Sequence, residues 1–226
     1  MQDISFMQAQ NPWVELPKKA PYILKSDLKV LNRYGTVPED LGFRLEVPPV
    51  PYVGTLDKTK VVLLCLNPGF KEETDLGRMG KVEYEENIKT LTFSSNTPFY
   101  YLNPILAGSG GYEWWSKILR SFIAAYGMKT ISEKIMCIQY LGYHSIRFRR
   151  PPYVLPSQYF SFNLVRKAIL NKMPIVIMRS KKLWLESVPE LENYPYIELR
   201  NYRRPFLTKN NIKNGNFDSL LNALSL

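Results

Sequence analysis

The sequence predicts an α/β protein built in three layers, α/β/α, around a four-stranded parallel sheet. Three observations lead there. Short runs such as Val61–Leu66 and Ile175–Met178 are apolar throughout instead of alternating, which describes strands covered on both faces. Segments with helical spacing fall between these runs, and strands alternating with helices build parallel sheets. A length of 226 residues, with 45% hydrophobic and 22% charged, suffices for one sizeable core and excludes a disordered chain.

The elements follow in chain order. Residues 1–56 carry Pro12, Pro17, Pro21, Pro38, Pro48, Pro49 and Pro51 and read as a proline-rich arm packed on the core. One short helix is expected in it, near Ser26–Tyr34, stopped by Gly35. Residues 57–226 read as a single α/β domain. Its first strand, Val61–Leu66, runs into the turn Asn67-Pro68-Gly69. A polar helix over 81–92 and an aromatic loop, Pro98–Pro104, come next, and Gly108-Ser109-Gly110-Gly111 reads as a flexible loop. Trp115, Ile118, Leu119, Phe122, Ile123 and Tyr126 form one apolar stripe, a helix ended by Gly127. Lys134–Gln139 is the second strand, Ser157–Asn171 a helix, and Ile175–Met178 the third strand. A short helix near Lys181–Glu186 leads to the fourth strand at Tyr196–Leu199, and Phe217–Leu224 is the last helix. Trp114, Trp115 and Trp184 fall on or beside helix stripes and are assigned to the core.

Composition narrows the chemistry. Cys65 and Cys137 sit in apolar runs and read as buried free thiols, too few for a four-cysteine metal or iron–sulfur site. The single histidine, His144, excludes a site needing two imidazoles. The chain contains no GxxxxGK[ST], HExxH, CxxC or GxSxG, and no GxGxxG after its first strand. No metal and no cofactor are therefore expected. The start, MQDISFMQAQ, lacks the charge and apolar core of a signal peptide, and the apolar runs are shorter than a membrane span. A cytoplasmic monomer with no membrane partner is expected.

The formal charge is +10, and it is unevenly placed. Residues 141–226 hold 14 Lys/Arg against 5 Asp/Glu, whereas residues 1–140 hold 16 against 15. Ligands of parallel sheets bind outside the carboxyl ends of the strands. That rule selects Asn67–Phe70, Tyr140–Arg150, Arg179–Lys182 and Arg200–Asn211, and three of these four segments are basic. Arg147-Phe148-Arg149-Arg150 and Tyr202-Arg203-Arg204-Pro205-Phe206 interleave cations with rings, a pattern suited to a nucleic-acid backbone. Arg179, Lys181 and Lys209 complete the candidate DNA-binding set, and Phe206 or Leu207 is the candidate wedge for the space left by a flipped base.

The run Val61–Phe70, VVLLCLNPGF, resembles the first motif of the uracil-DNA glycosylase superfamily, and within it the mismatch-specific and thymine-DNA glycosylases. The order of elements from Lys60 to Asn211 is similar to that family as well. The resemblance implies a DNA partner, a flipped base and metal-free, monofunctional hydrolysis of its N-glycosidic bond. It implies Asn67 as the residue that positions water, with Pro68, Gly69 and Phe70 shaping the base pocket and the N–H groups of Gly69 and Phe70 facing the base. It implies a stacking ring from Phe99 or Tyr100, and Gln139 or Tyr140 reading the base edge. Glu72, Glu73 and Asp75 follow the turn, with Glu73 the acidic candidate to assist the water. His144 is a candidate base contact or acid at the sheet edge.

The last family motif departs from its pattern. Asn201-Tyr202-Arg203-Arg204-Pro205-Phe206-Leu207-Thr208 contains no histidine, which leaves Asn201 as its pocket candidate. Two consequences are open: a modified pyrimidine in place of uracil, or a fold retained for binding without catalysis. Defence against phage carrying hypermodified DNA is an extension of the first. An unrelated α/β enzyme acting on free nucleotides is the third reading.

Overall fold

A computed structural model describes residues 11–225. Its centre is a five-stranded mixed sheet of β1 (Tyr52–Val53), β2 (Val61–Cys65), β3 (Ile135–Gln139), β4 (Ile175–Ile177) and β5 (Ile197–Glu198), in the order β1-β3-β2-β4-β5. The four strands expected from the sequence are parallel to one another, with Leu63 opposite both Cys137 and Val176. The fifth was not expected. Tyr52–Val53 lies in the proline-rich segment and pairs antiparallel with Ile138 and Cys137, so the sheet is mixed and not purely parallel. Two residues are too few to show a period in sequence; tertiary contacts set this strand. The Tyr52 hydroxyl takes a hydrogen bond from Asn11 Nδ2 at 3.0 Å and donates to the Leu91 carbonyl at 2.8 Å. Gly54 follows with φ +108°, where an added Cβ would lie 2.7 Å from the Ile135 carbonyl oxygen, so only glycine lets the chain pass β3 there.

Nine α-helices occur among the described residues: α1 (Lys25–Arg33), α2 (Glu72–Asp75), α3 (Arg78–Leu91), α4 (Gly110–Ile118), α5 (Arg120–Tyr126), α6 (Met128–Lys134), α7 (Pro156–Leu170), α8 (Lys181–Ser187) and α9 (Asn216–Ser225). The long stripe over 115–126 is divided between α4 and α5. Leu119 between them has ψ near 0, and the bond from Phe122 N to Leu119 O closes a tighter turn. Trp115, Ile118, Leu119 and Phe122 stay buried together, so the stripe survives the break.

The period-2 geometry of the strands sends alternate side chains to opposite faces. Val62, Leu64, Met136, Ile138, Ile175 and Ile177 join one core with residues of α1, α7 and α8. Val61, Leu63, Cys65, Ile135, Cys137 and Val176 join a second core with residues of α4, α5, α6 and α9. Helices therefore cover both faces. Trp13, Ile23, Leu24, Leu31, Leu41 and Phe43 belong to the first core, so the described part of the proline-rich segment is built into the same hydrophobic unit. No helix among the described residues is long and apolar enough to cross a membrane.

One buried carboxylate ties this segment down. Asp27 on α1 has no exposed surface; its Oδ2 accepts from the Tyr143 hydroxyl at 2.7 Å and its Oδ1 from Ser157 N at 2.9 Å, in the first turn of α7. Burial raises its pKa, against the opposing hydrogen bonds of Ser157 and Tyr143. Asp27→Ala strands a buried hydroxyl and a helix N–H together, each at about 1–3 kcal/mol. Urea unfolding is expected to show a loss on the order of 2–4 kcal/mol, with Asp27→Asn recovering part of it.

Candidate functional site

The chain leaves β2 for β3 on one side and returns for β4 on the other. The carboxyl ends of β2 and β4 therefore form the switch point where a crevice opens. A cavity of about 580 Å³ lies there. β2 contributes Cys65 and the turn Asn67–Phe70, β3 contributes Gln139, and β4 leads to Met178 and Arg179.

Pairing between β2 and β3 continues beyond the strands. Tyr140 N donates to Cys65 O at 3.2 Å, Leu141 N to Leu66 O at 3.0 Å and Ser145 N to Pro68 O at 3.2 Å. Side chains strengthen this seam. Asn67 Nδ2 donates to Ser145 Oγ at 2.8 Å and to Pro68 O at 2.9 Å, while its Oδ1 accepts nothing from the described residues. His144 Nδ1 lies 2.7 Å from Gly69 O, which makes it the donor and leaves Nε2 as the bare nitrogen. Burial holds the His144 pKa below its usual value, against the Gly69 carbonyl and the charges of Asp75 and Glu46. His144 is a neutral, buried brace of the turn, and Nε2 has no partner among the described residues.

Asn67, Pro68, Gly69, Phe70, Gln139, His144 and Arg179 all line this cavity. Phe70 is nearly buried, and the Arg44 guanidinium sits 4.3 Å above its ring. Gln139 is 8% exposed, with Oε1 buried and unpartnered.

Other sequence candidates lie elsewhere. Glu73 points to solvent and pairs with Lys71 at 3.2 Å; Asp75 faces the cavity instead, its Oδ2 accepting from Lys71 N at 2.6 Å. Phe99 and Tyr100 are fully buried, and the ring that reaches the cavity is Tyr101. Residues 100–102 form a single 3-10 turn, which aims successive rings in different directions. Tyr140 points to the opposite face of the sheet, edge-on to Trp184 and 3.2 Å from Ser187 Oγ. Asn201 caps a turn, its Oδ1 accepting from Arg203 N at 2.9 Å and Arg204 N at 3.1 Å. Leu207 is fully buried and Phe206 half-buried, with Arg120 stacked 5.8 Å over its ring, so neither projects as a wedge.

The basic residues divide. Lys181 pairs with Glu198, Arg150 with Glu186 at 3.0 Å and Lys209 with Asp218 at 3.6 Å. Arg149 donates to the Asp40 carbonyl at 2.6 Å. Arg147, Arg179, Arg203 and Arg204 are exposed and make no ion pair among the described residues.

Several lining residues were not foreseen. Trp114, assigned to the core from sequence, is 39% exposed and faces the cavity, edge-on to Trp115. The glycine-rich segment is no flexible loop: Ser109 Oγ caps α4 by accepting from Tyr112 N, and Gly110 and Gly111 form its first turn against the cavity. A Cβ on Gly111 would come within 2.2 Å of the Tyr101 ring and 2.9 Å of Glu83 Oε2. Glu83, on α3, is the largest omission. It is 6% exposed, lines the cavity, and burial pushes its pKa up to about 7. Ser109, Tyr101 and the Gly111 backbone oppose that rise, and Asp75 adds to it. A carboxyl in mid-helix carries no distinguishing pattern in sequence; its burial comes from the packing of α4. Among the described residues no three His, Cys, Asp or Glu side chains gather as a metal site.

No family model, curated protein or solved structure matches the chain.

Glu83 makes a stability prediction. Its native pKa of about 7 exceeds its ordinary 4.5, so the native state holds the proton more tightly than the unfolded chain. Its contribution is greatest below about pH 4.5 and is lost as pH rises through 7. Glu83→Gln should remove this loss, on the order of 3 kcal/mol, so that urea unfolding midpoints of variant and wild type diverge between these pH values.

Proposed function

We propose that the protein is a DNA glycosylase that flips a modified pyrimidine into this cavity and hydrolyses its N-glycosidic bond. The observation that carries the reading is the cavity itself. At one switch point it brings together the free acceptor of Asn67, the buried Glu83 carboxyl, the amide of Gln139 and the rings of Phe70, Tyr101 and Trp114. Its volume falls in the range of small-molecule pockets. The helices on both sheet faces are consistent with a three-layer glycosylase-like architecture.

The chemistry follows from the residues. Asn67 spends its amide hydrogens on Ser145 and Pro68, so Oδ1 presents an acceptor, which is what orients a water for attack. The water oxygen bonds to C1′ as the C1′–N bond breaks, and the base leaves with the bonding electron pair. The ionised Glu83 carboxylate accepts the proton released by the water. Gln139 faces the base edge, and the backbone at Gly69 lies open, since an added Cβ there meets nothing within 4 Å. Arg179 lies in the wall, and Arg203 and Arg204 directly precede Pro205, which also lines the cavity, so unpaired cations border it where phosphates would run.

The internal packing of Leu207 favours one other reading, a nucleic-acid-binding protein without catalysis, because the expected wedge is missing from that loop.

The test is an abasic-site assay on duplexes carrying uracil, mismatched thymine, 5-hydroxymethylcytosine or its glucosylated form. Wild type is expected to generate alkali-sensitive sites on at least one, and Asn67→Ala to lose about a hundredfold or more in turnover. The rate should fall as pH drops below about 7, where Glu83 becomes protonated, and Glu83→Gln should abolish that limb. Replacing Arg203 and Arg204 by alanine should lower the salt dependence of DNA binding by roughly two counterions. Salt-dependent binding without abasic sites on any substrate would establish the binding-only reading.

A further inference from the structure

A second groove of about 460 Å³ adjoins the main cavity, and the residue lining both is Ile146. Ile146 is 70% exposed, although the two residues before it are buried. The backbone just before it is held from both sides: Ser145 bridges to Phe43 on one side and Gly69 on the other, and Arg44 N donates to His144 O at 3.0 Å. A large aliphatic side chain thus follows directly on a pinned segment and is presented to solvent at the junction of a ring-walled cavity and a charged groove. Arg44, Arg147 and Arg149 face that groove, with Glu39 and Glu46 as the acids. Arg44 is paired with Glu46 at 2.6 Å, and Arg147 has no ion pair among the described residues.

We propose that Ile146 is the wedge that enters the base stack when a nucleotide occupies the main cavity, and that the second groove receives the phosphate backbone beside that nucleotide. The inference rests on the nucleic-acid reading of the main cavity and adds a residue and a strand path to it. Three points support it. A wedge must be apolar and rigidly based, because unstacking costs a few kcal/mol per base step that a mobile side chain does not repay. The adjoining phosphates need cations, and Arg147 is the next residue along the chain. The last loop, where a wedge was expected from sequence, holds Leu207 inside the core.

The test uses a duplex with a central tetrahydrofuran abasic analogue flanked by 2-aminopurine. Wild type is expected to bind and to raise 2-aminopurine emission through unstacking, and Ile146→Leu to do the same. Ile146→Ala should lose the rise while keeping the salt slope of binding, and Arg147→Ala should lower that slope by about one. The site is exposed, so all three variants should melt as wild type does. An undiminished rise with Ile146→Ala, or wild-type binding with no rise, overturns the wedge and leaves the nucleic-acid reading standing. Absence of salt-dependent binding by wild type overturns both.

Discussion

The seam between the Asn67–Phe70 turn and residues 140–146 is the constraint on which the site depends. Loops at the carboxyl edge of a sheet ordinarily wander, and these two do not because backbone pairing between β2 and β3 runs on past the strands. Asn67 Nδ2 to Ser145 Oγ and His144 Nδ1 to Gly69 O close it with side chains. Each bond contributes only about 1 kcal/mol net, but breaking one leaves a buried partner orphaned at a cost of about 1–3 kcal/mol. The turn is therefore held by the penalty for opening it. This also defines His144. An imidazole that donates from Nδ1 inside this buried seam stays neutral and braces the turn, so the titratable group of the cavity wall is another one, Glu83.

That group is brought in by a second constraint, the close approach of α4 to α3. Gly111 has no side chain, and the Tyr101 ring and Glu83 Oε2 occupy the space a Cβ would take. Packing at this distance removes water from Glu83, and the loss of water outweighs the neighbouring hydroxyls and backbone N–H in setting its acidity. One glycine thus shapes the cavity wall and tunes the carboxyl within it. The same contact gives the Tyr101 ring, which the 3-10 turn aims away from Phe99 and Tyr100, its place in the cavity wall.

Strands such as β2 and β4 were legible because both of their faces are apolar, and a continuous run such as VVLLC has few other readings. The carboxyl-edge rule then located Asn67 and Arg179, and the family resemblance Gln139, without any contact information. What escaped was everything set by tertiary packing. Tyr52–Val53 is too short to show a period, Glu83 looks like any carboxyl on a polar helix, and Trp114 is indistinguishable from Trp115 until α4 is rotated onto the sheet. The glycine run illustrates the limit best: flexibility and close packing both call for glycine, and only the neighbours decide between them.

Charge shows how local pairing changes a sequence-level argument. The excess of cations in residues 141–226 is real, yet Glu186, Glu198 and Asp218 engage Arg150, Lys181 and Lys209. The arginines left unpaired stand on the segments that carry Ile146, Met178 and Pro205, all of which line the cavity. Asn211 holds the last of these segments in shape, its Nδ2 donating to Arg204 O at 3.0 Å and Phe206 O at 2.9 Å. Exposed ion pairs add little to stability, so their larger effect here is on the field. They quench cations on the flanks and leave Arg147, Arg179, Arg203 and Arg204 unpaired beside the opening. A cleft with low-dielectric walls focuses the field that such unpaired cations supply.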